Sequence, residues 1–326
     1  MIISRTPVRL PLGGGGTDLP SYYTKYESFF VSAAINKYIY VTANRMFEDD
    51  FLIKYSKTER VDKPDDVEHP IIKEALKMIK IGKNTEITSM AEVPSKSGMG
   101  SSGSFTVGLL NALHAFKNEN PSKYKLAEEA FKIEVELMKE HLGKQDHYIA
   151  SFGGINAFKI NKNGRVTVIP LKLHNGILNE LENNILLFHT GIRRKASDIL
   201  LVQDQAIKTD DSKVLESMHR IKEIGLESFK ALKKGDTHRF GELLHEHWLI
   251  KKNMTDKMSN EFINRWYDVG KKWALGGKLI GAGGGGFLMF YCEQNKDKLR
   301  RDMAREGLKE FFFKFDFTGS KILVNV

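Results

Sequence analysis

Three glycine-rich blocks carry the residues of this chain best suited to chemistry. They are Gly13-Gly14-Gly15-Gly16-Thr17-Asp18, Ser97-Gly98-Met99-Gly100-Ser101-Ser102-Gly103-Ser104 and Gly281-Ala282-Gly283-Gly284-Gly285-Gly286. In the middle block a β-prone stretch closes at Pro94 and an apolar helical run opens at Phe105. Such a junction presents free backbone N–H groups and the positive end of a helix dipole. Glycines at Gly98, Gly100 and Gly103 would let that backbone approach a polyphosphate. Hydroxyls at Ser101, Ser102 and Ser104 could bind phosphate or Mg²⁺. A serine-capped helix after a flexible turn gives the same pattern, and for this one loop the two readings stand level. The loop is not the Gly-x-x-x-x-Gly-Lys-Ser/Thr type. Met218-His219-Arg220-Ile221 also lacks the aspartate that a protein-kinase catalytic loop places after its arginine.

The last block holds a formal Gly-x-Gly-x-x-Gly match at Gly281, Gly283 and Gly286. A dinucleotide fold needs a strand before these glycines and a helix after them. The sequence reads helix-like before and strand-like after, which rejects that fold. The block, Gly284 included, then reads as a tight loop bringing backbone near a ligand or a neighbouring loop. The first block joins a strand to Thr17-Asp18, with Arg9 upstream. Arg9 shares strand parity with Arg5, so both are expected on one face. A close turn at Gly15 and Gly16, beside an arginine and Asp18, suits a polar ligand with hydroxyls. His245-Glu246-His247 does not suit a metal, because residues two apart on a helix point to different sides.

The elements that must position these groups mix strands and helices irregularly, which predicts an α+β fold of two closely packed domains, 1–175 and 176–326. Strands are expected over 2–12, 28–46, 87–93, 184–189 and 287–291, with a hairpin turning at Asn163-Gly164. Helices are expected from Pro70, over 105–116, and over 125–140 with Gly143 as its C-cap. Long helical stretches are expected over 196–232 and 239–273. The aromatic run 311–317 reads as a C-terminal strand.

Composition limits what the molecule can be. Of 326 residues, 41% are hydrophobic and 28% charged, as in folded domains rather than disordered chains. The net charge of +9 is spread out, without an arginine-rich arm, so a nucleic-acid partner is not expected and small anionic ligands are. Cys292 is the only cysteine, as suits a reducing compartment. The N-terminus lacks a signal-peptide plan and no apolar run reaches membrane length, so a cytoplasmic protein with no membrane partner is expected.

Taken together and in order, the three blocks resemble the motifs of the GHMP kinases, the family of galactokinase, homoserine kinase, mevalonate kinase and phosphomevalonate kinase. Thr6 to Asp18 resembles the first motif, Pro94 to Ser104 the second, and Gly277 to Gly286 the third. The resemblance implies a two-domain fold, with an N-terminal α+β domain like part of a ribosomal protein and a ferredoxin-like C-terminal domain. It implies ATP and Mg²⁺. Asp146 would take the proton of the attacking hydroxyl, with Arg9 near the transferred phosphoryl. Ser102 and Glu134 would serve the metal, and Gly98, Gly100, Ser101 and Gly103 would line the ATP phosphates. Asp18, with Gly15, Gly16 and Thr17, would bind the sugar.

The resemblance extends to further stretches, Gly143 to Asp146 and Thr190 to Leu200 among them, and implies an acceptor of D-glycero-D-manno-heptose 7-phosphate type, phosphorylated on its anomeric hydroxyl. Gly15-Gly16 stands where galactokinase-like members carry a charged pair. The acceptor's own phosphate would need a basic pocket, for which Arg193 and Arg194 are candidates, as is Lys96 more weakly. A solvated basic turn is the equal alternative for the two arginines. Rival readings are a fucose- or galactose-type kinase and a sugar/ATP sensor without turnover. A homodimer is compatible with the sequence, which does not fix the oligomeric state.

Overall fold

The computed structural model describes residues 1–193 and 196–326. Its architecture is α+β, with two sheets. In chain order the strands are β1 (Ile2–Gly13), β2 (Ser28–Arg45), β3 (Phe51–Lys54), β4 (Thr58–Val61), β5 (Thr85–Ala91), β6 (Ile155–Ile160), β7 (Val166–Pro170), β8 (Ile185–His189), β9 (Gly276–Leu279), β10 (Phe287–Tyr291), β11 (Lys309–Glu310) and β12 (Lys321–Asn325). The larger sheet runs β12-β1-β2-β5-β3-β4, and the β6-β7 hairpin adds to the first half of β2. The smaller sheet runs β11-β8-β10-β9 and is antiparallel throughout. Strand β12 comes last in the sequence yet lies beside the first, with Ile2 opposite Asn325.

The 18 residues of β2 are rich in Val, Ile, Tyr and Phe, and their length lets one strand serve three neighbours. One continuous apolar core joins the sheets: Val8, Leu10 and Val31 belong to the same cluster as Leu187, Phe287 and Met289. Burying both sheets on one core fixes the glycine blocks, which sit at strand ends, relative to one another.

Several expected elements change form. The helix expected over 125–140 is an α-helix only over Lys123–Phe131 and then widens to π winding over Lys132–Leu137. Gly143 is therefore no C-cap. It lies in the irregular segment after the π turn, where an added Cβ would come 2.0 Å from Asp18 Oδ2. The stretch 196–232 divides into Ala196–Lys208 and Ser212–Lys234, the second capped by the Asp211 side chain. The stretch 239–273 likewise divides into Thr237–Lys252 and Glu261–Lys271. The run 311–317 is not a strand: only Phe315 bridges, to Ile35, and Phe312 and Phe317 face solvent. The alternation of Phe313-Lys314-Phe315-Asp316-Phe317 suits a strand, but Asp316 accepts from the N–H groups of Thr318 and Gly319, which turns the chain there. The last glycine block follows a strand, β9, and leads into its antiparallel partner β10. It is a hairpin connection, and no helix follows it.

Helix Ser212–Lys234 holds the first glycine block in place. A Cβ on Gly225 would lie 2.9 Å from both Gly14 Cα and Phe29 O, so helix and strand backbones meet there. Gly225→Ala gains about 1 kcal/mol of helix propensity. Overpacking against two backbone segments costs about 1–3 kcal/mol and outweighs that gain. A lower urea midpoint with an unchanged m-value is the expected result.

Candidate active site

A cleft of about 280 Å³ opens where the three glycine blocks converge. Arg9, on β1, is 6% exposed and reaches across the cleft floor. Its Nε donates to Asp146 Oδ1 at 2.7 Å, and its Nη1 donates to the carbonyl of Gly98. Asp146 stands in the first turn of helix Gln145–Phe152, where a carboxylate is favoured by the dipole. It keeps about a quarter of its side chain open to the cleft.

The middle loop packs against this carboxylate. A Cβ on Gly100 would fall 2.8 Å from Asp146 Cγ, and one on Gly103 would fall 2.8 Å from Asp146 Cβ. Gly98 and Gly100 also take left-handed φ angles of 79° and 73°. Helix Ser101–Phe116 starts there, with Gly100 at the N-cap and no side chain capping its free N–H groups. These N–H groups remain available at the cleft, which Ser101 and Ser102 also line. Ser104 differs from its expected place. Its buried hydroxyl donates to the carbonyl of Pro7 at 2.9 Å, so it ties the helix to β1 and lies outside the cleft lining.

Glu134 is buried and comes from the π turn, a winding that recurs at functional sites because it re-aims a side chain. It accepts from Ser102 Oγ at 3.0 Å and from the Thr106 hydroxyl. His147 Nε2 lies 3.5 Å from it. Burial opposes the charged imidazole, but the Glu134 carboxylate outweighs this and holds the His147 pKa above its usual value.

Asp18 closes the other end. Its Oδ2 accepts from the Gln145 N–H at 2.8 Å and its Oδ1 from the Gly16 N–H at 3.1 Å, while burial raises its pKa. Gly15 and Gly16 line the cleft with it. Thr17 does not: its hydroxyl donates to Gly14 O at 2.8 Å and lies 2.7 Å from the Ser28 hydroxyl, inside the turn. Arg5 does not join Arg9 either. The β1–β2 register shifts between Pro7 and Val8, and Arg5 sits over the Tyr38 ring, 3.8 Å from Asp316. Arg193 is exposed and outside the cleft lining, while Arg194 lies outside the described residues. Lys96 lies at the rim, with a φ of 59°.

The third glycine loop braces the second. A Cβ on Gly281 would come 2.6 Å from Gly98 Cα, and one on Gly286 would come 2.3 Å from Ser97 O. Gly281 and Gly283 reach the cleft, while Gly284 lies outside its lining.

Three basic side chains in the cleft escaped the sequence reading. Lys278 is 2% exposed, and His247, read as an ordinary helix residue, is buried beside it. Lys251 follows His247 by one helical turn and donates to the carbonyl of Gly281. Burial, with Arg9 nearby, pushes the Lys251 pKa down to about 8. The only available signal was Lys278 standing inside the third motif.

Comparison with known proteins follows this geometry. Residues 70–154 match the GHMP kinases N terminal domain, and residues 228–310 match the GHMP kinases C terminal domain. The chain is 32% identical to a D-glycero-alpha-D-manno-heptose 7-phosphate kinase of Campylobacter jejuni, over 98% of this chain and 97% of that protein. Among solved structures it resembles a D-glycero-D-manno-heptose 1-phosphate kinase from Bacteriodes thetaiotaomicron, with a TM-score of 0.82, 26% identity and 99% of each chain covered. It also resembles a putative sugar kinase from Campylobacter jejuni, with a TM-score of 0.78, 29% identity and 98% and 97% covered. No helix among the described residues is long and apolar enough to cross a membrane.

Two measurements test this geometry. Ser104→Ala is expected to cost about 1 kcal/mol of stability through one lost hydrogen bond while leaving the KM for ATP within twofold. The second concerns Lys251, which an unfolded chain would keep protonated to about pH 10.5. The folded chain releases that proton near pH 8, so between these values the unfolded state binds more protons and stability rises with pH. Lys251→Met is therefore expected to be more stable than the wild type at pH 7. The difference should shrink from about pH 8 towards pH 10, followed by urea unfolding at each pH.

Proposed function

The chain belongs to the GHMP kinases, and from that premise we propose that it transfers the γ-phosphoryl group of ATP to the anomeric hydroxyl of D-glycero-D-manno-heptose 7-phosphate, giving the 1,7-bisphosphate. One observation carries the catalytic part of this reading: the Arg9–Asp146 pair stands between the N-terminus of helix Ser101–Phe116 on one side and Asp18 on the other.

The loop fits a polyphosphate, since Ser101 opens a helix whose first backbone N–H groups no side chain caps, and its glycines let the loop backbone lie directly against Asp146. Mg²⁺ fits Ser102 and Glu134, which offer hard oxygen atoms side by side. Bound there with the nucleotide, it would neutralise phosphate charge. The rest falls to side chains. Asp18 and the Gly15-Gly16 backbone orient the acceptor. Asp146 accepts the hydrogen bond of the reacting hydroxyl and takes its proton as that oxygen bonds to the γ-phosphorus. The bond from phosphorus to the bridging oxygen breaks and ADP leaves. Arg9 stabilises charge on the transferring group and, by gripping Asp146 and the Gly98 carbonyl together, keeps base and loop in register. Use of ATP supports a cytoplasmic setting for the reaction.

The acceptor assignment is supported by the 32% identity to the Campylobacter heptose 7-phosphate kinase over nearly the whole chain. A second reading, a heptose 1-phosphate acceptor, is favoured by the name of the structural neighbour at a TM-score of 0.82. Both acceptors already carry a phosphate.

ADP release with Mg-ATP across free sugars, heptose 1-phosphate and heptose 7-phosphate separates these readings. Turnover on the 7-phosphate, reduced about 10²–10⁴-fold in Asp146→Asn with little change in either KM, is expected. Turnover on the 1-phosphate alone would select the second reading. Turnover on free hexoses alone would discard both.

A further inference from the structure

Beside the Arg9–Asp146 pair lies a cationic group that the phosphoryl-transfer scheme leaves unused. Lys278 Nζ sits 3.3 Å from the carbonyl of Leu12 and 3.5 Å from His247 Nδ1. Lys251 contacts the Gly281 carbonyl, and all three side chains line the cleft. Among the described residues neither lysine forms an ion pair with a carboxylate, whereas Lys25, Lys54 and Lys144 each do. Carbonyl dipoles and a neutral imidazole satisfy hydrogen-bond donors, but they do not cancel two charges held out of water. Burial depresses all three, helped by Arg9 at Lys251 and by the neighbouring lysine charge at Lys278 and His247. A cluster of basic side chains facing a cavity, with no acidic partner among the described residues, is completed by an anion from the cavity.

Position narrows the choice of anion. The nucleotide side already has the helix N-terminus, Ser102 with Glu134, and Arg9. Lys278 instead rests on Leu12, the residue leading into the Gly13–Asp18 turn at the acceptor end. The other basic group considered for an acceptor phosphate, Arg193, is exposed and outside the cleft.

We propose that Lys251 and Lys278, with His247 as the neutral hydrogen-bond partner of Lys278, form the pocket for the phosphate that the acceptor sugar already carries. This rests on the reading of the acceptor as a sugar phosphate. The transferring phosphoryl group has the same chemistry, so the test must separate the two sources.

Inorganic phosphate is the probe, titrated into the full chain with and without saturating Mg²⁺ and a non-hydrolysable ATP analogue, and followed by thermal shift. Wild type is expected to gain stability from phosphate in both conditions. Lys251→Met and Lys278→Met are expected to bind phosphate about 10- to 100-fold more weakly, the loss of one charged hydrogen bond. They should keep their affinity for the nucleotide analogue, which also reports that they fold. In turnover, KM for the sugar phosphate should rise by a similar factor while KM for ATP stays within twofold.

Phosphate binding that vanishes when the analogue is present would assign the lysines to the transferring group and overturn the proposal. So would binding unchanged in both lysine variants, or binding lost in Arg193→Ala instead. Turnover confined to unphosphorylated sugars would defeat the acceptor reading and remove the proposed occupant. The phosphate titration would still report separately whether the lysines bind an anion.

Discussion

Arg9 binds two things that must not move apart, the carboxylate of Asp146 and the carbonyl of Gly98. That double grip ties the first strand to the phosphate loop and to the helix beginning at Gln145. It works only because the loop backbone lies on the aspartate side chain, a closeness that any side chain at position 100 or 103 would prevent. The third glycine loop backs the second through contacts between main chains, Gly281 on Gly98 and Gly286 on Ser97. Backbone against backbone leaves no rotamer to relax, so the site is positioned by atoms that cannot reorganise.

This explains which parts of the molecule were legible in the sequence. Strands β1, β2, β8 and β10 could be read because their β-branched and aromatic residues face a core on both sides. Glycine blocks were legible as places of close approach, but their neighbours were not. Nothing local in Gly281-Ala282-Gly283 tells that it braces a loop nearly two hundred residues earlier. The π turn at Glu134 was unreadable because its residues have ordinary helical periodicity. Winding there follows tertiary demands: Glu134 is drawn to Ser102 and Thr106. Ser104 failed for a similar reason. Its type suited a phosphate ligand, and only the proximity of Pro7 decided otherwise.

Charge was the least legible quantity of all. A net +9 spread along the chain gives no hint that two lysines and a histidine from a helix and a distant strand meet in one cleft. Folding places these groups where their charged forms are least comfortable, against carbonyls and one another. The stability they forgo is the usual mark of a site kept for binding rather than for the fold.

Strand β12 has a consequence for how the molecule is made. The strand carrying Arg9 pairs on one side with β2, which emerges soon after it, but on the other side its first residues, Ile2–Arg5, pair with residues 321–325. At about 5–20 residues per second, translation of the roughly 300 residues between them takes on the order of 15–60 s. Throughout that interval the outer edge of Ile2–Arg5 stays unpaired, the kind of surface on which other chains can nucleate. A nascent chain of this protein thus carries an open edge at the head of the strand that holds Arg9.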